Sequence, residues 1–246
     1  MRQQFYLPAI IGIALCGLPL LTGCGGSDSG TATPATANIT RATEKTFSES
    51  ARILAARDAE ASGATWLSAD FARATDADLS LIYTTSPDVA DITAFPQHDL
   101  RSVVVSVRGD SPWLSRWTAG NATTGEPTID ALLTEFAPES IVPLGAFDGT
   151  SAAYFTVRFG QSLNVVKLAE RLKNASPNIV AADPNYTAGD GNNIKRVAGM
   201  SRRYEFSRGS GDCPAGCINR DTWYFDVSAD GKTATWVNPN LLQTNH

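Results

Sequence analysis

Histidine is scarce in this chain: His98 and the terminal His246 are the two present in 246 residues. A Ser-His-Asp triad would have to use one of them, and no Gly-x-Ser-x-Gly elbow is present to carry its serine. There is no HExxH pair for zinc and no complete Walker A loop; Asp230-Gly231-Lys232-Thr233 keeps only the tail of one, in a hairpin setting. Carboxylates are common, but no two are set apart by their surroundings as an acid–base pair. Asp190-Gly191-Asn192-Asn193 lacks the spacing of an EF-hand loop and reads as a turn. His98, between Pro96 and Asp99, reads as an ordinary surface or packed histidine. Charge is sparse as well: 18% of residues, with a formal net charge of −5, against a usual share of roughly 25%. A basic nucleic-acid-binding face is therefore not expected. These absences point away from an enzyme, and neither a cofactor nor a metal is expected. What is present, 43% hydrophobic residues over this length, suffices for one large domain or two small ones.

Long apolar runs are also missing, with one exception at the start. Residues 7–21 are free of charge for 15 positions, after Arg2. A bilayer span needs about 20, so this run fits the hydrophobic region of a signal peptide. Leu21-Thr22-Gly23-Cys24 resembles the lipobox of bacterial lipoproteins. That resemblance implies removal of residues 1–23, acylation of Cys24 (the palmitate-type anchor of that class) and attachment to the cell envelope. Gly25 after the cysteine, in place of Asp, implies the outer membrane if the source is Gram-negative. Residues 24–43 are rich in Gly, Ser, Thr, Ala and Pro with no apolar period, and read as a flexible tether.

Of the four cysteines, Cys16 leaves with the leader and Cys24 takes lipid. Cys213 and Cys217 remain, and in an oxidising compartment they are expected to form a disulfide that pins a turn rich in Gly and Pro. Two other readings stay open. The CxxxC spacing with Pro214 is faintly similar to the copper loop of Sco-type proteins, which also need a distant histidine. A thiol-redox role would call for a cysteine at a helix N-terminus.

Residues 44–100 read as a helical N-terminal segment. Thr46 and Glu49 have capping-box spacing, Phe47, Ala51, Leu54 and Ala55 follow on one face, and Gly63 is the stop. A second helix is expected over 66–74 and a short strand over 79–84. From Arg101 the pattern sharpens. Residues 101–108 are a β-branched run and 109–127 a long loop, whose Trp113 and Trp117 read as core cover rather than a contact site. Thr128 is expected to cap a helix over 129–136. Strands over 141–147 and 152–159 flank an Asp148-Gly149 hairpin. Ser162 or Asn164 caps a helix with Val165, Leu168, Ala169 and Leu172 inward, and 179–182 is the last strand. Strand, helix, strand, strand, helix, strand makes an α+β fold, a ferredoxin-like split βαβ sandwich over residues 101–187, with two helices on one face of four antiparallel strands.

Within that region the strand Tyr154-Phe155-Thr156-Val157-Arg158-Phe159, the helix after it and the ending Ala182-Asp183-Pro184-Asn185-Tyr186 resemble the propeptide and inhibitor domain of subtilisin-like serine proteases. The likeness is firmest over 141–187. That family ends its last strand in Ala-Glu-Pro-Asn; here Asp183 replaces the glutamate. The resemblance implies that the following segment lies in the protease cleft, which carries over to Pro184, Asn185, Tyr186, Thr187 and Ala188 as partner-binding residues. Sixty residues follow Tyr186 and no protease domain is among them, so action on a partner in trans is expected.

Residues 187–196 read as a polar linker. Beyond it, 197–240 should be a three-stranded antiparallel meander, with strands over 202–207, 222–227 and 233–237, the Cys213–Cys217 turn, and a hairpin at Asp230-Gly231. So small a meander is expected to pack on the sheet before it. The segment from Gly211 to Cys217 is similar to the C-terminal part of uncharacterised secreted bacterial proteins, a likeness that carries no chemistry. The expected function is that of a membrane-anchored lipoprotein acting as a non-catalytic protein-binding module, an inhibitor or chaperone of a subtilisin-like protease. The alternatives are a structural envelope lipoprotein and a thiol-redox or copper-handling protein.

Overall fold

Two serines start the first two helices. Ser48 caps α1 (Glu49–Ser62) by accepting from the Ala51 amide at 3.3 Å, and Ser68 caps α2 (Ala69–Thr85) by accepting from the Phe71 amide at 3.2 Å. The computed structural model describes residues 47–146 and 151–238. The expected leader (1–23), Cys24, the tether (24–43), Thr46, the Asp148-Gly149 turn and His246 lie outside the described residues. The cap of α1 is Ser48 rather than Thr46, and Glu49 is the first helical residue rather than the third, because Ser48 is itself extended (φ −60°, ψ 156°). Gly63 ends α1 with a left-handed φ of 72°, as expected.

Helix α2 overturns a strand. Residues 79–84 are its last turns, with Leu79 and Ile82 buried on the same side as Ala72 and Thr75. Their composition suits a strand, but a helix capped at Ser68 and buried at three-residue spacing overrides that preference. It stops just before Ser86-Pro87, where the residue preceding proline avoids helical geometry, and one 3-10 turn follows at Pro87–Val89.

The first sheet is made of β1 (His98–Arg108), β2 (Pro138–Ala146), β3 (Ala152–Phe159) and β4 (Ile179–Tyr186), in the order β2-β3-β1-β4 with every pair antiparallel. Alternation sends Val103, Val105 and Val107 of the central strand to one face, all fully buried. The core on that face is closed by α4 (Pro127–Phe136), through Ile129, Leu132, Leu133 and Phe136, and by α5 (Val165–Ala175), through Val165, Leu168, Ala169 and Leu172. Asn164 rather than Ser162 caps α5, accepting from the Lys167 amide at 3.0 Å. α4 begins at Pro127, one residue before the expected cap Thr128, because proline suits a helix's first turn, where its missing N–H costs nothing. The loop 109–127 carries a short helix α3 (Leu114–Thr118). Trp113 and Trp117 are buried in the core, their rings 5.0 Å apart and Trp117 5.4 Å from Phe155.

The second sheet runs β5 (Asn193–Arg196), β6 (Arg203–Ser210), β7 (Asn219–Val227) and β8 (Ala234–Val237), antiparallel in sequence order. It has four strands rather than three: β5 lies in the stretch read as a linker. Its one apolar residue, Ile194, is fully buried, while the polar residues around it hide the alternation. Gly231 turns β7 into β8 at φ 71°. This sheet does not use the first one as its cover. Phe206, Phe225, Val227, Tyr204 and Ile194 form one cluster with Ile53 and Leu54 of α1 and Leu79 and Ile82 of α2. Polar contacts fasten the same interface. Asp78 of α2, 2% exposed, accepts from the Tyr204 hydroxyl at 2.7 Å and pairs with Arg202. Burial, then the neighbouring Asp78, push the Tyr204 hydroxyl well above the usual phenol range. Arg57 of α1 donates to the carbonyls of Ile194 (2.6 Å) and Phe95 (2.7 Å) and to Asn193 Oδ1 (3.1 Å). All described residues belong to one compact unit. None of their helices is long and apolar enough to cross a membrane.

Candidate functional site

The five residues expected to meet a partner fall at the end of β4 and just beyond it. The strand is longer than the expected 179–182. Pro184 is buried and registers with Val103, and Tyr186 registers with His98. Asn185, Tyr186, Thr187 and Ala188 are exposed, Tyr186 by 69%. The Asn185 side-chain amide donates to Ser102 Oγ at 3.1 Å, and Ser102 donates in turn to Asp99 Oδ2 at 2.8 Å. Asp99 also accepts from Arg158 at 3.2 Å and from the Arg101 amide at 2.9 Å. The start of the segment is thus held against β1 through Pro184 and Asn185, and the side chains from Tyr186 to Ala188 are exposed.

His98 underlies Tyr186, with ring centroids 5.6 Å apart in an edge-on arrangement. It is 7% exposed, its Nε2 lies 3.0 Å from Glu60 Oε1 of α1, and its buried Nδ1 has no partner. The packed alternative for this histidine therefore holds, and it joins the first sheet to α1. Pro96, His98, Asp99, Arg101, Ser162 and Thr187 border a cleft of about 290 Å³ beside the first turn of α1.

Downstream of Ala188 the chain meets the disulfide turn. Cys213 and Cys217 are bonded to each other. Gly189 (φ 90°) passes against that turn: a Cβ there would sit 3.4 Å from the Cys213 carbonyl oxygen. The Asp190 amide donates to the same oxygen at 2.9 Å. The Asp190 carboxylate pairs with Arg220, which also donates to Gly191 O at 3.1 Å and Ser207 Oγ at 3.0 Å. The Arg220 guanidinium and the Gly191 amide hold the Asp190 carboxyl below its ordinary range. Asn192 Oδ1 accepts from the Gly209 amide at 3.2 Å, and Asn193 Oδ1 from the Phe95 and Ile194 amides at 3.0 and 2.9 Å. Gly209 has to be glycine, since any Cβ would overlap Cys217 Sγ.

Two features separated in the sequence are thereby neighbours: the segment ending β4 and the Cys213–Cys217 turn. Sequence reasoning missed the group that joins them, Asp190, Gly191, Asn192, Asn193 and Arg220. Its signal was the Asp-Gly-Asn-Asn run, read as a turn alone. Among the described residues no group of three His, Cys, Asp or Glu side chains is placed to hold a metal ion.

No protein-family model, curated protein or solved structure matches this chain.

Proposed function

We propose that the chain is a lipid-anchored envelope protein and a non-catalytic protein-binding module, whose partner is a subtilisin-like protease and whose contact segment is Pro184 to Ala188. The sheet of β1 to β4 with α4 and α5 is then a ferredoxin-like split βαβ sandwich. The strand order β2-β3-β1-β4 supports that reading, since right-handed crossovers from the expected element order lead to it. The observation that carries the function is the exposure of four consecutive residues, Asn185 to Ala188, at the end of β4, where Tyr186 registers with His98 of β1. A held, extended and accessible segment at a sheet edge is the form in which a peptide is bound through its main chain, with side-chain pockets supplying selectivity. The anchor rests on residues 21–24, whose lipobox likeness supports acylation of Cys24; acyl chains contribute about 0.8 kcal/mol per buried methylene.

The test is an inhibition constant for the full-length chain against a panel of subtilisin-like proteases, with Tyr186→Ala and Thr187→Ala alongside. Inhibition weakened by these changes supports the reading. A chain that every protease ignores or simply digests leaves the structural-lipoprotein alternative. Cys213→Ser with Cys217→Ser separates the third reading, because a redox or copper role is lost with the pair and protease binding is not. For the anchor, Cys24→Ser should release the protein from the membrane fraction.

A further inference from the structure

A propeptide-like tail has one attached end, whereas the segment after β4 is attached at both. Upstream, Tyr186 registers with His98 of β1, and the Thr187 amide donates to the carbonyl of Gln97, the residue before β1, at 3.0 Å. Downstream, the Asp190 amide donates to the Cys213 carbonyl at 2.9 Å, and the Asp190 carboxylate pairs with Arg220. Cys213 is itself fixed by its bond to Cys217, and within three residues the chain is paired again as β5. Between the two fastenings Thr187 and Ala188 are exposed and belong to no helix or strand, and Gly189 makes the bend. The side chains grade from one large group to almost none: Tyr186, then Thr187, Ala188 and Gly189.

We propose that residues 186–190 are a two-ended substrate-like loop: it enters the cleft of an endopeptidase in extended form, Tyr186 selects an enzyme with a pocket for an aromatic side chain, and the loop stays bound even when cut. This rests on the protease reading above and changes its mode. A loop ordered before binding loses little conformational freedom on association, which favours affinity. The small side chains of Thr187, Ala188 and Gly189 do not obstruct approach to the main chain between the two fastenings.

The cut itself is reversible in this arrangement. The enzyme's serine hydroxyl adds to a loop carbonyl carbon, the C–N bond breaks, and the nitrogen departs as an amine with the proton that the serine gave up. The upstream half remains as an ester on the serine. A free product would diffuse away. Here the amine belongs to a segment tied to Cys213 and Arg220, so it remains at high effective concentration beside the ester. When it attacks the ester carbon, the C–N bond forms again and the serine hydroxyl regains its proton, in competition with hydrolysis by water. Even full hydrolysis does not separate the halves. The upstream half carries α1 and α2 and the downstream half carries β5 to β8, and these pack together across the Asp78, Tyr204 and Arg202 contacts.

The experiment follows peptide hydrolysis by a purified subtilisin-type protease in the presence of the full-length chain, then weighs the recovered chain by native and denaturing mass spectrometry. The expected result is inhibition lasting hours, a cut between residues 186 and 190 seen on denaturation, and halves that travel together under native conditions. Tyr186→Ala should weaken inhibition by about tenfold or more. Arg220→Gln should leave the initial inhibition within about threefold but make it decay as the loosened loop is digested. Thermal unfolding of both variants distinguishes a lost loop from a lost fold. Equal persistence in Arg220→Gln, or halves that part under native conditions, would overturn the two-ended loop and leave the protease reading standing; inhibition indifferent to Tyr186→Ala would overturn the loop and the assigned contact segment together. Absence of inhibition by every protease tested would remove both.

Discussion

The two sheets have equal numbers of antiparallel strands and are assembled by opposite routes. The first is local: β1 to β4 and the helices that cover them come from one continuous stretch, 98–186. The second brings its strands from the C-terminal part of the chain and its covering helices from the N-terminal part, with the first sheet between them in sequence. Contacts at such separation require closing a long loop before any burial rewards it. The difference in fastening follows. The first sheet buries Ser102, Ser106 and Asn164 beside an apolar cluster that includes two tryptophans. The second adds directional polar contacts, Asp78 to Tyr204 and Arg202 and Arg57 to β5, which specify how distant segments meet. The first sheet should therefore fold early, and the second should open first.

That contrast can be broken in order of expected effect. Trp117→Ala should cost about 4 kcal/mol, because a fully buried indole between Trp113 and Phe155 leaves a cavity. Urea unfolding gives the loss, and hydrogen exchange should rise in β1 to β4 first. Asp78→Ala should cost about 3 kcal/mol, since it strands a buried tyrosine hydroxyl and a half-buried guanidinium. Its exchange signature should appear in α2, β6 and β7 with β1 to β4 still protected. If either substitution loosens both sheets equally, the two are one cooperative unit and the contrast fails. Cys213→Ser with Cys217→Ser should cost about 2 kcal/mol on the loop-closure estimate for so short a ring, detected as a lower midpoint without loss of either sheet. Ala137→Gly should gain about 1 kcal/mol, because Ala137 ends α4 at a φ of 45° that a side chain disfavours.

A fifth outcome concerns pH and the loop alone. Asp190 has a lowered carboxyl pKa in the folded chain, so its contribution is fully present above the ordinary carboxylate range and is lost as pH falls through the folded value. Protection of the Asp190 amide, measured against the slower intrinsic exchange at low pH, should fall on acidification before the sheets open. Arg220→Gln should move that onset upward, and an unchanged onset would mean the ion pair does not hold the loop.

The same contrast explains what could be read in advance. In the first sheet the signals were local and strong: β3 has the expected bounds, α5 buries the four residues its spacing selects, and Trp113 and Trp117 are core. The second sheet was less legible because its signals are relational. Ile194 marks a strand only by its burial under α1 and beside Phe206, and the flanking Asn193, Lys195 and Arg196 suit a linker as well. Residues 79–84 have the composition of a strand and become helix because Leu79 and Ile82 have a sheet to pack against. At the candidate site, Tyr186 and its neighbours could be chosen from motif likeness. The hold exerted by Asp190 and Arg220, thirty residues apart, could not, since no local period connects them.

The packing of α1 and α2 on the C-terminal sheet has a consequence for the life of the chain in the cell. Ile53, Leu54, Leu79 and Ile82 are covered only when β5 to β8 have been delivered and folded. A copy that lost its last fifty residues would keep its first sheet yet show a bare apolar helical face, a pattern that degrading enzymes and holding chaperones recognise. The closing strands thus act as a quality mark: copies that keep them hide the face, and shortened ones show it from the moment they are made.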